Sequence, residues 1–213
     1  MMKIHKFTFN PFYENTYLIW DEQTLASAVI DPGMLEEFEE EEIKTFISTN
    51  SLKIEYLINT HCHIDHLLGA RFIKEEYNPR YLIPEKDIPL FNNASTQAEM
   101  FGMTIKELPD YDNFLSEEED LVIGNEMVKC LFTPGHSPGE FCLHSEKSNF
   151  CITGDVLFNE SIGRTDLYGG NYDVLIDSIR KKLLILHDDV MIYPGHGDNS
   201  TIGYEKTHNQ FLL

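Results

Sequence analysis

Five of the nine histidines stand in loop-like segments directly after strand-like runs, each beside a glycine, proline, aspartate or another histidine. His61-x-His63-x-Asp65-His66 follows Asn59-Thr60, His136 lies in Thr133-Pro134-Gly135-His136-Ser137-Pro138-Gly139, and His196 lies in Tyr193-Pro194-Gly195-His196-Gly197. Asp155 follows Ile152-Thr153-Gly154. Strand-end loops are where rigid scaffolds present functional side chains, and their glycines and prolines let the backbone turn sharply enough to aim them inward. The set offers imidazole nitrogens and carboxylate oxygens with no required thiolate, a mixture that suits zinc, iron or manganese rather than calcium or magnesium. Along a regular strand H-x-H-x-D-H cannot face one point. On a turn it can splay to two centres, His61 and His63 to one, Asp65 and His66 to the other. Seven ligand-type residues exceed the three or four that one zinc needs, so a two-metal site is the economical reading. His5, His144, His187 and His208 lack such surroundings and read as surface or internally satisfied histidines.

The elements that must position these loops follow from hydrophobic periodicity. Lys3–Asn10 and Asn15–Asp21 alternate as half-buried antiparallel strands do, and Ala26–Ile30 is a short apolar run ending at Asp31-Pro32-Gly33. Leu35–Asn50 reads as a helix whose acidic opening, Glu36 to Glu42, sits where the helix dipole favours negative charge and forms a solvated face. A strand at Glu55–Asn59 leads into the histidine motif, followed by helical spacing over Leu67–Tyr77, a strand at Arg80–Ile83 and a helical region from Pro84 to Phe101. Gly102–Glu119 is loop-like. Strands follow at Leu121–Ile123, Met127–Phe132, Phe141–His144 and Asn149–Thr153, then a long amphipathic helix over Asn171–Leu186, a strand at Val190–Tyr193 and a closing helix over Thr201–Phe211. Two mixed sheets packed face to face with helices outside satisfy this order, an α+β arrangement. With no linker, repeat or low-complexity tract, residues 1–213 read as a single domain.

Composition narrows the partners. Hydrophobic residues make up 42% of the chain, enough for a substantial core, and the formal charge is −20. Such a charge disfavours nucleic acid, whose phosphates need a cationic face, and equally an anionic membrane surface. The polar-interrupted N-terminus offers no signal-peptide core, and no apolar stretch approaches the ~20 residues of a membrane span. Cys62, Cys130, Cys142 and Cys151 show no C-x-x-C pairing and read as reduced, buried structural thiols, so a cytoplasmic protein is expected.

The chain resembles the metallo-β-lactamase-fold hydrolases, and within them the short bacterial type II glyoxalases, the hydroxyacylglutathione hydrolase-like proteins. The resemblance runs nearly end to end: Asp31, Thr60–His66, His136, Asp155, Ser161-Ile162-Gly163-Arg164-Thr165-Asp166-Leu167, Tyr193–Gly197 and Ser200-Thr201-Ile202-Gly203-Tyr204-Glu205. It implies an αββα sandwich holding two divalent ions, zinc first, with iron or manganese as alternatives. One ion would be held by His61, His63 and His136, the other by Asp65, His66 and His196, with Asp155 bridging. It implies hydrolysis of a small-molecule thioester. Two cations ~3.5–4 Å apart lower the pKa of a water between them from ~15.7 toward ~7, and Asp65 orients the resulting hydroxide as the catalytic carboxylate. A thiol leaving group, with a pKa near ~8.5, needs little protonation.

Longer relatives carry a C-terminal helical domain with basic contacts to glutathione, whereas only Gly197–Leu213 follows the last histidine of the set here. Arg164 is the candidate substrate contact, set against an ion pair with Asp166. Met100, Phe101 and Met103 are set between an apolar lid and ordinary packing, with packing favoured. Sulfur dioxygenases of the same fold share H-x-H-x-D-H and a Gly-Arg-Thr-Asp segment, and use one iron that His61, His136 and Asp155 could hold. That oxidoreductase ranks second because the tail Pro194–Thr201 looks more like the hydrolase branch. A non-catalytic metal-binding protein on this scaffold ranks third.

Overall fold

The computed structural model describes all residues from Met1 to Leu213. The first sheet begins with strands β1 (Met2–Phe9), β2 (Glu14–Asp21) and β3 (Ala26–Ile30), each antiparallel to the one before. It continues with β4 (Lys53–Ile58), β5 (Arg80–Ile83) and β6 (Asn113–Phe114), each parallel to its predecessor. The second sheet contains β7 (Leu121–Ile123), β8 (Glu126–Phe132), β9 (Phe141–Ser145) and β10 (Phe150–Gly154) as antiparallel neighbours. A hairpin of β11 (Leu157–Phe158) and β12 (Ser161–Ile162) intervenes before β13 (Met191–Pro194), which adds parallel to β10, and β14 (Ser200–Thr201), which closes the edge.

Period-two alternation assigns each strand's faces. In β2, Tyr17 and Ile19 turn toward the second sheet and join Ala28, Ile30, Ile58 and Leu82 against Val128, Cys130, Phe141, Leu143 and Ile152. Leu18 turns the other way, into a cluster with Val29, Leu57, Tyr81 and Ile83. That outer face is covered by helices α1 (Glu37–Thr49), α2 (Ala70–Tyr77), α3 (Ile88–Asn92) and α4 (Ala94–Met100), through Ile43, Ile47, Ile73, Leu90, Phe91 and Ala98. On the opposite side Cys142, Cys151 and Ile192 pack under Leu175 of α5 (Tyr172–Ser178), and α6 (Ile202–His208) ends the chain. The result is the expected αββα sandwich, in which each fully buried Ile or Leu contributes about 1.5–3 kcal/mol. All four cysteines are reduced and buried, and no helix is long and apolar enough to cross a membrane.

Several expected elements differ in detail, each for a local reason. The Asn171–Leu186 helix is α-helical only to Ser178 and then widens to a π turn over Ile179–Leu183, with Leu184 N–H bonding Ile179 O. The apolar stripe Leu175, Ile179, Leu183 advances by four, and a wider turn keeps all three on the sheet. The helical region after Pro84 breaks into a 3-10 turn (Glu85–Asp87), α3 and α4, with Asn93 at the break. The Leu67–Tyr77 helix starts only at Ala70, because Ile64–His66 form a 3-10 turn of their own. The loop Gly102–Glu119 contains the two-residue β6, whose pairing with β5 no period announces. The acidic run is not wholly a solvated face: Glu39 is buried and accepts from the N–H groups of Asn10, Leu35 and Glu36, tying the β1–β2 loop to α1.

Candidate metal centre

Every loop singled out above leaves its sheet at the same end. Asp31 follows β3, residues 59–66 follow β4, His136 lies between β8 and β9, Asp155 follows β10 and His196 follows β13. Within the motif the chain bends at Thr60 and His61 and is extended at His63, so that the His61 and His63 donors converge while Cys62 packs in the outer core. The 3-10 turn Ile64–His66 then rotates Asp65 and His66 to the other side. Local conformation thus splits one short motif between two centres.

Three groups of three result, two made wholly of sequence-selected residues and a third, Asp31, His61 and His66, lying across them. The donor atoms of His61, His63 and His136 converge, as do those of Asp65, His66 and His196. His63 Nδ1 lies 2.8 Å from His136 Nε2, and His196 Nε2 lies 3.2 Å from Asp65 Oδ2. Asp155 stands between the groups: its Oδ2 is 3.5 Å from His136 Nε2 and 3.6 Å from His196 Nε2, and its Oδ1 is 3.6 Å from His66 Nε2. The structure therefore brings all seven sequence-selected residues together around two adjacent points.

Three of the five imidazoles are hydrogen-bonded through their outward nitrogen, and a fourth, His66, turns it to a carboxylate at ion-pair distance. His136 Nδ1 faces Arg164 O at 2.7 Å, His196 Nδ1 faces Phe12 O at 3.1 Å and His66 Nδ1 faces Asp31 Oδ2 at 3.2 Å. His61 Nδ1 lies 3.1 Å from Thr60 Oγ1 and 3.6 Å from Glu140 Oε1. Such partners fix ring orientation and leave the inward nitrogen basic. The inward atoms His61 Nε2, His66 Nε2 and Asp155 Oδ1 are buried and have no hydrogen-bond partner within the protein. An unpaired buried polar atom is costly, and three such atoms gathered at one place more so. Around a tetrahedral ion with bonds of ~2.0–2.1 Å, neighbouring donors stand about 3.3 Å apart. Most separations here bracket that figure, so the donor set fits divalent metal, with Asp155 between the groups.

Electrostatics divides the two groups. Burial, reinforced by the surrounding histidines, keeps His61 well below the ordinary imidazole value. Burial likewise brings His63 down to about 4 and His136 to about 3. In the other group, burial would lower His66 but is overcome by Asp65, Asp155 and Asp31, which hold it well above its usual value. For His196 too, burial is outweighed, here by Asp65 and Asp155, and the ring is shifted up. Burial would raise Asp65, yet His66 and His196 depress it far below the usual carboxylate range.

Four carboxylates with no place in the sequence-derived ligand set surround this centre. Asp31 accepts from Thr60 N–H at 2.7 Å and Thr60 Oγ1 at 2.6 Å. Glu140 accepts from Asp155 N–H at 2.7 Å, Glu14 from Thr16 Oγ1 at 2.9 Å, and Asp87 accepts from residues flanking His63 and His136. Asp31 and Glu140 stand in Asp31-Pro32-Gly33 and Pro138-Gly139-Glu140, so the same turn signal could have found them; Glu14 and Asp87 carry none.

Arg164 forms a two-pronged ion pair with Asp166 at 2.7 and 2.8 Å, and its carbonyl, rather than its guanidinium, touches the histidine set. The Met/Phe trio divides, correcting the packing expectation for two of its members. Met103 packs on the outer core, whereas Met100 and Phe101 are exposed, and the Phe101 ring stands 4.9 Å edge-on to Phe12 beside His196. His5 stacks on Phe46, His144 is buried with Nδ1 on Phe150 O, and His187 and His208 are exposed, all outside the centre.

Residues 9–196 match the family model described as the metallo-beta-lactamase superfamily. The chain is 39% identical to hydroxyacylglutathione hydrolase GloC of Haemophilus influenzae, over 99% of this chain and 98% of that protein. Among solved structures, it superimposes on the B3 metallo-beta-lactamase BLEG-1 with a TM-score of 0.90 and 30% identity, covering 99% of each chain. It superimposes on TTHA1623, crystallised in a di-iron-bound form, with a TM-score of 0.87 and 31% identity, covering 98% of this chain and all of the other.

Proposed function

The chain belongs to the metallo-beta-lactamase superfamily and is a metallo-hydrolase of it, and from that premise we propose that it hydrolyses a thioester of the hydroxyacylglutathione type using two divalent ions, zinc by preference. The observation that carries the reading is Asp155, one carboxylate set between two converging groups of three donors, in a chain resembling a hydroxyacylglutathione hydrolase along its whole length. His61, His63 and His136 would hold one ion, Asp65, His66 and His196 the other. A bound pair would acidify a water and polarise the substrate carbonyl.

The chain's own residues supply the rest. Asp65 and His196 are the ligand-type side chains with most contact with solvent, so the centre opens on their side. Asp65 is kept ionised by its histidine neighbours, so its carboxylate would orient the attacking water by accepting a hydrogen bond from it. A thiol leaves without a strong acid to protonate it, which suits a mouth bordered by Phe12, Phe101 and Phe158 rather than by a proton donor. Arg164, at the mouth but paired with Asp166, is the side chain available to an anionic part of the substrate. The charge of −20 supports a small-molecule substrate and disfavours nucleic acid and anionic membranes.

The test is to purify the chain without added metal, count ions per chain and assay a hydroxyacylglutathione thioester beside glutathione persulfide. Two ions per chain with thioester cleavage and no oxygen uptake is the expected outcome. One iron with oxygen consumption on the persulfide would overturn it in favour of the dioxygenase.

A further inference from the structure

The segment between β5 and β6 supplies none of the seven donor residues, yet it grips the motif at its centre. Cys62 separates His61 from His63, and that segment holds both polar groups of its main chain. Cys62 N–H donates to Asp87 Oδ2 at 3.0 Å, and Cys62 O accepts from Gln97 Nε2 at 3.1 Å. The same Asp87 carboxylate reaches across to the loop after His136, accepting from Ser137 Oγ at 2.7 Å and Gly139 N–H at 2.6 Å. Asp87 is fully buried and makes no hydrogen bond to Asp65, His66 or His196.

The residue type is informative. Burial pushes the Asp87 carboxyl up, and no lysine or arginine pairs with it. What offsets the cost is three donors converging on both oxygens, a demand only a carboxylate meets, since an amide presents one oxygen and one nitrogen. Space is equally constrained: a Cβ at Gly139 would lie 2.7 Å from Asp87 Oδ1. One side chain from a ligand-free element thus joins the two stretches of chain that bring His61, His63 and His136 to a common point.

We propose that Asp87 is a positioning residue for the three-histidine metal position, fixing the separation of its two ligand-bearing stretches and setting the affinity of that position separately from its neighbour. The inference rests on the reading of His61, His63 and His136 as a metal position. Outer partners of metal ligands are typically worth 10–100-fold in affinity, the range expected here.

The experiment titrates metal-free full-length protein with Co2+ and Zn2+ against a chromophoric chelator, with His63→Ala marking which equivalent belongs to the three-histidine position. Asp87→Asn sets an amide against at least one of the three donors, and Ser137→Ala removes one bond while keeping the carboxylate. Asp87→Asn is expected to weaken the three-histidine equivalent about 10–100-fold and alter its Co2+ absorption bands, leaving the other equivalent unchanged. Ser137→Ala should shift the same equivalent by a smaller factor. Wild-type affinity at both positions in folded Asp87→Asn, or equal weakening of both, overturns the proposal. Should Asp87→Asn fail to fold, unchanged affinity in Ser137→Ala overturns it instead. Failure of the wild type itself to bind at the three histidines would defeat the metal-site reading, a separate result.

Discussion

Asp31→Asn separates the stability of the fold from the contribution of a metal ion. Asp31 sits at φ 51°, a left-handed conformation that asparagine tolerates, so the substitution leaves backbone preference alone. The carboxylate accepts on both edges: Thr60 N–H at 2.7 Å on Oδ1, and on Oδ2 Thr60 Oγ1 at 2.6 Å with His66 Nδ1 at 3.2 Å. Asparagine offers one oxygen. Turning its amide toward Thr60 N–H sets donor against donor. Turning it the other way lets the Thr60 hydroxyl rotate and accept, so only His66 Nδ1 is opposed. In metal-free protein, loss of the Asp31 charge lowers His66 and lets it give up its Nδ1 proton while keeping the Nε2 proton that faces Asp65 and Asp155, which relieves that opposition. With an ion on Nε2, the remaining proton must sit on Nδ1 and the conflict stands. The loaded protein therefore loses a hydrogen bond to a charged group, about 1.5–3 kcal/mol, that the metal-free protein largely keeps. In a chain of 213 residues each kcal/mol moves Tm by about 2–4 °C, so the loaded form should melt about 3–12 °C lower. Thermal unfolding followed by circular dichroism, with and without chelator, measures both. An equal fall in the two forms, or none in the loaded form, refutes the idea that Asp31 acts through His66.

Other expectations follow from the same geometry. Asp65→Asn should keep the metal-free fold and lower kcat on a thioester on the order of 10²–10⁴-fold; circular dichroism and steady-state kinetics decide, and turnover near wild type would remove Asp65 from the chemistry. Gly195→Ala should reduce bound metal, measured by elemental analysis, because its Cβ would collide with Asp155 Oδ1 and stand 2.8 Å from His66 Cε1; full metal content would contradict this. Acidification from pH 7 to 5 should release the ion of the Asp65–His66–His196 group first. His66 and His196 are shifted up and take protons first as pH falls, whereas His63 and His136, held at about 4 and about 3, stay neutral. Loss of the three-histidine ion first, read by Co2+ absorption, would reverse that ordering. In metal-free protein those two depressed histidines act against the fold as pH falls from 6.5 toward 4, because the unfolded chain takes up protons that the folded one refuses.

Period made most of the sandwich legible. Ala26–Ile30 and Arg80–Ile83 have the bounds their apolar runs suggest, since a buried strand has a strict period of two and a breaker at its end. What escaped is what has no period: the two-residue strands β6, β11, β12 and β14, and the π turn after Ser178, which tertiary packing selects over the regular helix its spacing resembles. The cluster of histidines and aspartates was legible for a different reason. Histidines beside glycine and proline at strand ends are rare enough to stand out, and all seven selected residues meet in space. The ambiguous Met100-Phe101-x-Met103 was not, because exposure at a helix end is decided by where the helix stops, and α4 stops at Met100.

The supporting carboxylates escaped because the chain is so acidic. Among 36 acids, nothing local distinguishes Glu14 or Asp87 from those that face solvent, and Glu140 has only the turn beside it. Their burial is a product of tertiary contact, and no lysine or arginine is buried with them. Elsewhere the buried acids are answered more fully: Glu126 by Lys147 and the N-terminus at Oε1, with Oε2 alone unpartnered, and Glu205 by Asn209 and the Glu160 N–H. Around the histidines the answer is incomplete. Glu14 Oε1, Glu140 Oε2 and Asp155 Oδ1 have no partner, and the imidazoles beside them turn unpaired nitrogens toward one another. A folded chain does not gather uncompensated acids and lone pairs at one point unless positive charge from outside completes it. On that argument part of the −20 is not surface charge at all. On the proposed two-ion reading it would be the inward counter-charge of the bound cations, held on the same strand ends as the residues that would ligate them.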